Sequence, residues 1–182
     1  MLVAGGGYVS SELYQRCGCT IIGVDISPNA IQLAKKVCRL DKGVTLHQES
    51  VTDMSIKSKS ADLVLAVGCL EHVEDLDLAL EEVYRVLKPG GYLYVVTSNY
   101  YSFVHFIAYK LRQKLGIWPY GYEKDWKSVD FCQKLAQAGF KKDFLTTQFG
   151  IGDFWFLDVL DRAVAPFDKR WGRYICWGGK KA

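Results

Sequence analysis

The sequence is poor in the features that cage metal ions, staple secreted domains or cross membranes. Its six cysteines are scattered at positions 17, 19, 38, 69, 132 and 176, with no Cys-x-x-Cys pair, and its three histidines keep no zinc-ligand spacing to them. Cys17-Gly-Cys19 is the one close pair, and it falls where a helix-to-strand turn is expected. No disulfide framework is implied, so a reducing, cytoplasmic location is expected. The amino terminus runs straight into glycines, unlike a secretory leader, and no apolar run reaches the roughly 18 residues of a membrane span. Basic blocks are missing too. With 23 Lys and Arg against 20 Asp and Glu the net charge is only +3, which argues against a nucleic-acid stripe, and Lys141 and Lys142 are expected to be solvated. There is no internal repeat and no low-complexity segment.

What is present is one 182-residue unit, long enough to bury roughly two-thirds of its unfolded surface as a single domain, 1–182. Its organising stretch runs from Ala61 to Ser98. Asp62 to Val67 is a near-continuous apolar run, the pattern of a strand buried on both faces. From Leu76 the period changes: Leu76, Leu80, Val83 and Leu87 recur at helical steps, with Asp77, Glu81, Glu82, Arg85 and Lys88 on the other side. Pro89 is expected to stop that helix, Gly90-Gly91 to reverse the chain, and Tyr92 to Thr97 to form the next strand. Strand, helix and strand in this order make a right-handed crossover over a parallel sheet.

The same grammar opens the chain. Met1 to Ala4 reads as a strand, Gly5-Gly6-Gly7 as a turn, and Tyr8 to Arg16 as a helix with Leu13 inward. A second apolar strand, Thr20 to Val24, ends on Asp25, twenty positions after Gly5. That interval is close to the ~20 residues between the glycine turn and the ribose-binding acid of nucleotide folds. Asp25 is therefore a candidate for holding ribose hydroxyls, while Ser27 with Pro28 behind it caps the following helix. Val44 to Gln48 reads as a third strand.

The string Leu70-Glu-His-Val-Glu-Asp75, followed by Arg85-Val-Leu-Lys-Pro-Gly-Gly91 before a strand, resembles class I S-adenosylmethionine-dependent methyltransferases. The nearest subgroup is the small-molecule type that includes quinone and sterol methyltransferases. The resemblance implies an α/β, Rossmann-like three-layer α/β/α sandwich whose mostly parallel seven-stranded sheet has an antiparallel last strand. It also implies S-adenosylmethionine as donor and S-adenosylhomocysteine as product, with Gly5, Gly6, Gly7, Asp25, Ile26, Ser50, Val51, Gly68 and Cys69 around them. Ser50 stands where the family carries an acid that reaches adenine, so Glu49 or Asp53 could substitute, or Ser50 could accept that hydrogen bond itself. Other departures are Val3 near the position of the family's acid before the glycine turn, Tyr8-Val9 where a further glycine is usual, and the absence of the family's leading helices before the first strand.

Transfer of a sulfonium methyl is an in-line displacement that needs alignment and dryness; no metal is required. His72 is the candidate base for an acidic acceptor, because imidazole titrates near neutrality, and equally reads as a helix-start residue bonded to backbone. Segment 99–127 is dense in aromatics and carries a basic amphipathic stretch, Ser102 to Leu115; it is expected to form a lid, with Tyr100, His105, Tyr120 and Tyr122 toward the acceptor. A helix over 127–138 capped by Ser128, closing strands at 140–149 and 174–180, and an apolar insertion at 150–172 complete the expectation. That insertion must be covered by the lid, by a partner or by lipid. The expected partner is a small apolar acceptor, with peripheral membrane contact through Lys110, Arg112 and Lys114 and with no nucleic acid. Two other readings fit parts of the pattern: a methyltransferase-like protein that binds without catalysis, and an NAD(P)-dependent oxidoreductase using Gly5 to Asp25.

Overall fold

The computed structural model describes residues 2–4, 7–39, 42–117, 121–149 and 155–182. Among them, seven strands form one sheet: β1 (Leu2–Ala4), β2 (Ile21–Asp25), β3 (Val44–Gln48), β4 (Ala61–Val67), β5 (Leu87–Ser98), β6 (Phe140–Gln148) and β7 (Tyr174–Lys181). Their order across the sheet is β3-β2-β1-β4-β5-β7-β6. The first five run parallel, and β7 lies antiparallel between β5 and β6. The chain thus winds outward from β1 to β3, returns to β4, and winds the other way. Right-handed crossovers then put α1 (Tyr8–Cys17) and α2 (Pro28–Val37) on the face opposite α3 (Leu76–Val86). The reversal between β1 and β4 is the topological switch point, where α/β sheets open a crevice at their strand ends.

Each element follows from local chemistry. Ser27 Oγ accepts the Ala30 N–H at 3.3 Å and Pro28 occupies the first turn, so α2 starts where the sequence says. Asp75 caps α3 by accepting from Leu78 N. The helix ends at Val86, three residues before the proline, because Leu87 is already extended and joins β5 through a pair with Ala61. The reversal expected at Gly90-Gly91 is instead an irregularity within β5. A Cβ on Gly91 would lie 2.8 Å from the Lys88 carbonyl oxygen. Likewise Ser128 is the first residue of α5 (Ser128–Gln137), not its cap: Lys127 holds that position without a side-chain bond, and Ser128 is buried.

One apolar core joins these layers. Leu80, Val83 and Val86 of α3, Leu93 and Val95 of β5, Phe131 and Leu135 of α5, and Ile175 and Trp177 of β7 are buried together. At about 1.5–3 kcal/mol for each large side chain, this cluster dominates the favourable side of folding. After β5 the chain forms a π-helical stretch, Val104–Tyr109, continued by α4 (Lys110–Lys114). The segment between β6 and β7 contains α6 (Trp155–Val164), whose buried Asp161 accepts from Ser102 Oγ at 2.8 Å and from Phe103 N at 2.7 Å. Phe103 also stacks on Trp171, with ring centres 4.6 Å apart. The segment after β5 therefore covers part of the apolar insertion, while Val159, Leu160 and Phe167 stay exposed.

Candidate active site

A cleft of about 580 Å³ opens at the carboxyl ends of β2, β3 and β4. Asp25 and Ile26 leave β2 into it, Glu49 to Thr52 follow β3, Gly68 and Cys69 follow β4, and His72 to Asp75, Leu78 and Val83 close its far side. Asp25 Oδ1 accepts the Ser27 N–H at 2.8 Å, which fixes the carboxylate at the strand end and turns the chain toward α2. Gly68 has a positive φ of 65° and nothing nearer than 3.9 Å would meet its missing Cβ, so the turn is left open toward the cleft.

The wall after β3 is braced from below. Arg85 of α3 pairs with Glu82 at 2.6 Å and donates to the carbonyls of Ile56 and Met54, while Glu82 accepts from Met54 N at 2.9 Å. The Arg85 bond holds the Glu82 carboxyl below its ordinary range. Glu49 Oε2 accepts from Ser55 N, and Ser50 Oγ shares a 2.7 Å hydrogen bond with Thr52 Oγ1. Glu49 Oε1 is buried and has no hydrogen-bond partner.

Burial pushes the Cys69 thiol up to about 12, with the nearby charges of Glu71 and Asp25 adding to it. At neutral pH it is a small apolar surface, not a nucleophile. Glu71 is itself buried, raised above the usual carboxylate range by that burial, and receives a 3.3 Å bond from Thr97 Oγ1. His72 is exposed on a 3₁₀ turn, Leu70–His72. Its Nδ1 lies 2.8 Å from the Tyr122 carbonyl oxygen, which can only accept, so the ring donates there from Nδ1. His72 is thus bonded to backbone, and it also lines the cleft.

Of the residues singled out in the sequence, Asp25, Ile26, Ser50, Val51, Gly68, Cys69 and His72 are brought to one cleft. Gly5, Gly6 and Tyr120 lie outside the described residues. Gly7 is not among the lining residues; its φ of 88° and a virtual Cβ 2.7 Å from Ala34 Cα show that glycine is needed there for α2 to pack. Tyr100, His105 and Tyr122 do not line the cleft. Tyr100 is exposed, and Tyr122 borders a separate hollow of about 340 Å³ with Gln113, Gly116, Gly121 and Glu123. His105 is buried in ion-pair contact with Asp125, which also meets Lys110 Nζ at 2.7 Å. Burial would raise the Asp125 carboxyl, but His105 and Lys110 outweigh it and hold it below its ordinary range. Thr52, Val73 and Leu78 line the cleft without having been marked in the sequence; only their closeness to Ser50, His72 and the α3 cap could have suggested them.

The pattern of the methyltransferase-domain family, type 11, matches residues 2–95. The chain belongs to this family. Among its relatives, a demethylmenaquinone methyltransferase of Tropheryma whipplei is 30% identical over 155 residues, covering 76% of this chain and 64% of that protein. A ubiquinone biosynthesis O-methyltransferase of Chelativorans sp. is 32% identical over 96 residues, covering 52% of this chain and 38% of that protein. The chain therefore spans less than two-thirds of these relatives' length. A solved S-adenosylmethionine-dependent methyltransferase of Thermotoga maritima superposes with a TM-score of 0.70 at 22% identity, covering all of this chain and 81% of that one. That likeness shows the fold: a mixed sheet with a parallel core in a Rossmann-like α/β arrangement.

Proposed function

We propose that the 580 Å³ cleft binds S-adenosylmethionine and that the chain passes its methyl group to a small, apolar acceptor of the quinone-precursor class. The observation that carries this is the convergence of Asp25, Glu49 to Val51, and Gly68-Cys69 at the switch point of the sheet. The donor set suits the group. Asp25 keeps an oxygen beyond the one given to Ser27 for the ribose hydroxyls, and Glu49 Oε1, which takes no hydrogen bond and has His47 Nδ1 3.8 Å away, is an acceptor for an adenine amino group. Glu49 thereby does the work that Ser50, engaged with Thr52, would do more weakly, and Val51 lines the cleft beside it. Gly68 and the neutral Cys69 give the sulfonium end an uncharged, close-fitting wall.

When bound, the donor supplies an electrophilic methyl carbon, and the protein's part is alignment and exclusion of water. His72 Nε2 takes the proton that an acidic acceptor gives up as the methyl arrives in line. Segment 99–127 acts as a lid: Tyr122 O holds His72, and Lys124 N donates to Glu71 O at 2.8 Å, so the lid is tied to the turn at the cleft mouth. The quinone-like acceptor follows from the names of the relatives and from the aromatics of the lid. Among the described residues no helix is long and apolar enough to cross a membrane. Ile107, Leu111, Leu115 and Ile117 are exposed beside Arg112 and Lys114, a face suited to resting on an anionic bilayer.

Calorimetric titration tests the reading. S-adenosylhomocysteine is expected to bind and NAD is not, and Asp25→Ala should weaken adenosyl binding by about tenfold to a hundredfold, the 1.5–3 kcal/mol of a hydrogen bond to a charged group. Binding of NAD alone would favour the oxidoreductase, and no adenosyl binding at all would favour a non-catalytic scaffold. Unchanged affinity in Asp25→Ala would remove that residue from the site.

A further inference from the structure

Behind the turn that carries His72, three side chains from separate parts of the lid face one another. His105 comes from the π-helical stretch, and Glu123 and Asp125 come from the extended chain that leads to Trp126. One ligand atom from each lies within 4.8 Å of the other two. The His105 side chain is 2% exposed, and those of Glu123 and Asp125 are 4% exposed, so water does little to solvate their charge. His105 Nε2 meets Asp125 Oδ1 and Lys110 Nζ meets Asp125 Oδ2 at 2.7 Å, so two buried carboxylates share one imidazole and one half-exposed ammonium. Buried carboxylates must be paired or coordinate a cation. Lys110 reaches only Asp125, and does so from a side chain that is 48% exposed. Glu123 Oε1, 3.9 Å from His105 Nδ1, is held by a 2.8 Å hydrogen bond from Ser98 Oγ at the end of β5.

We propose that His105, Glu123 and Asp125 form a site for one divalent first-row cation of the manganese or zinc class, which fastens the lid to the end of β5. One imidazole nitrogen with two carboxylates suits these ions better than calcium, which takes six to eight oxygens. Ser98 supplies the outer bond that orients a ligating carboxylate. The 340 Å³ hollow bordered by Glu123, Tyr122 and Gln113 gives an ion and its waters a path in. Lys110 occupies Asp125 when the ion is away and swings to solvent when it arrives. The ion takes no part in methyl transfer. Its effect is positional: the Glu123 to Asp125 segment bonds to Glu71 O through Lys124 N, and the neighbouring Tyr122 O bonds to His72, so a filled site sets where the turn at the cleft mouth rests.

The test is calorimetric titration of the chelator-stripped full chain with Mn²⁺ and then with Zn²⁺, with circular dichroism to verify folding. One ion per chain is expected. Asp125→Asn and His105→Gln should each weaken binding at least tenfold. Lys110→Ala changes a half-exposed side chain and so should fold whatever the buried variants do; it should bind the ion several-fold more tightly, because the competing ammonium is gone. Absence of stoichiometric binding to the unaltered chain would show a His105–Asp125–Lys110 ion-pair network only, and would overturn the proposal. So would equal affinity in the two buried variants, or unchanged or weaker binding in Lys110→Ala. The assignment of the cleft is read separately, by S-adenosylhomocysteine, so either proposal can fail without the other.

Discussion

Glu71 belongs to the same turn as His72 but is buried, 4% exposed, and burial holds its carboxyl above its ordinary value of 4.5. The folded chain therefore binds that proton more tightly than the unfolded chain. The stability this confers is complete below about pH 4.5 and is lost as pH rises through the folded value, so the ionised carboxylate is a burden at neutrality. Glu71→Gln keeps the shape and an acceptor for Thr97 while removing the charge. It should raise unfolding stability by roughly 1 kcal/mol near neutral pH, with the gain vanishing in acid below the ordinary value. Denaturant melts at the two pH values check this, and a variant less stable at neutrality would contradict it. At this scale the sequence was legible where a residue acts through its immediate neighbours. Asp25 and Ser27 work within a few positions of themselves, and their pattern showed. Glu82 and Arg85 read as solvent-facing helix charges, yet they brace a loop some thirty residues earlier, and no local spacing reports that.

The elements show the same divide. Strands β1 to β5 and helices α1 to α3 were legible because period and caps specify them, but the join between α3 and β5 was not: Leu87 turned extended before the proline could stop the helix, and Gly90-Gly91 lie inside β5 instead of reversing the chain. The stretch after Ser98 was legible as helical but not as π-helical, since its register is set by what it leans on. Asp161 of α6 is that support. Its carboxylate accepts from Ser102 Oγ and Phe103 N at the very start of the stretch. Asp161→Ala would leave those donors buried without this acceptor, costing about 1–3 kcal/mol. Hydrogen exchange should then quicken across residues 103–114 while β4 and β5 keep their protection; uniform quickening would mean that the contact serves the whole fold and not the lid.

For the molecule as a whole, the cleft gathers residues from β2, the loop after β3, the turn after β4 and α3, so a ligand there binds only the folded chain. S-adenosylhomocysteine at a hundred times its dissociation constant should add about 2.7 kcal/mol. For a chain of this size that is a rise of roughly 5–10 °C in Tm, read by scanning calorimetry. A rise of the same size in Asp25→Ala would sever the link between cleft and stability. The overall architecture was legible because buried parallel strands and their crossover helices leave strong periodic marks, whereas the side chains at 105, 123 and 125 meet only once segment 99–127 has folded back on itself. The sheet order carries a further consequence for assembly. Because β7 is wedged between β5 and β6, Phe140 to Gln148 has no docking edge until the chain beyond Arg173 has emerged and been threaded into place. During synthesis the strand of Leu87 to Ser98 therefore waits as a bare ledge, open to pairing with other nascent chains, and its rescue depends on a late arrival.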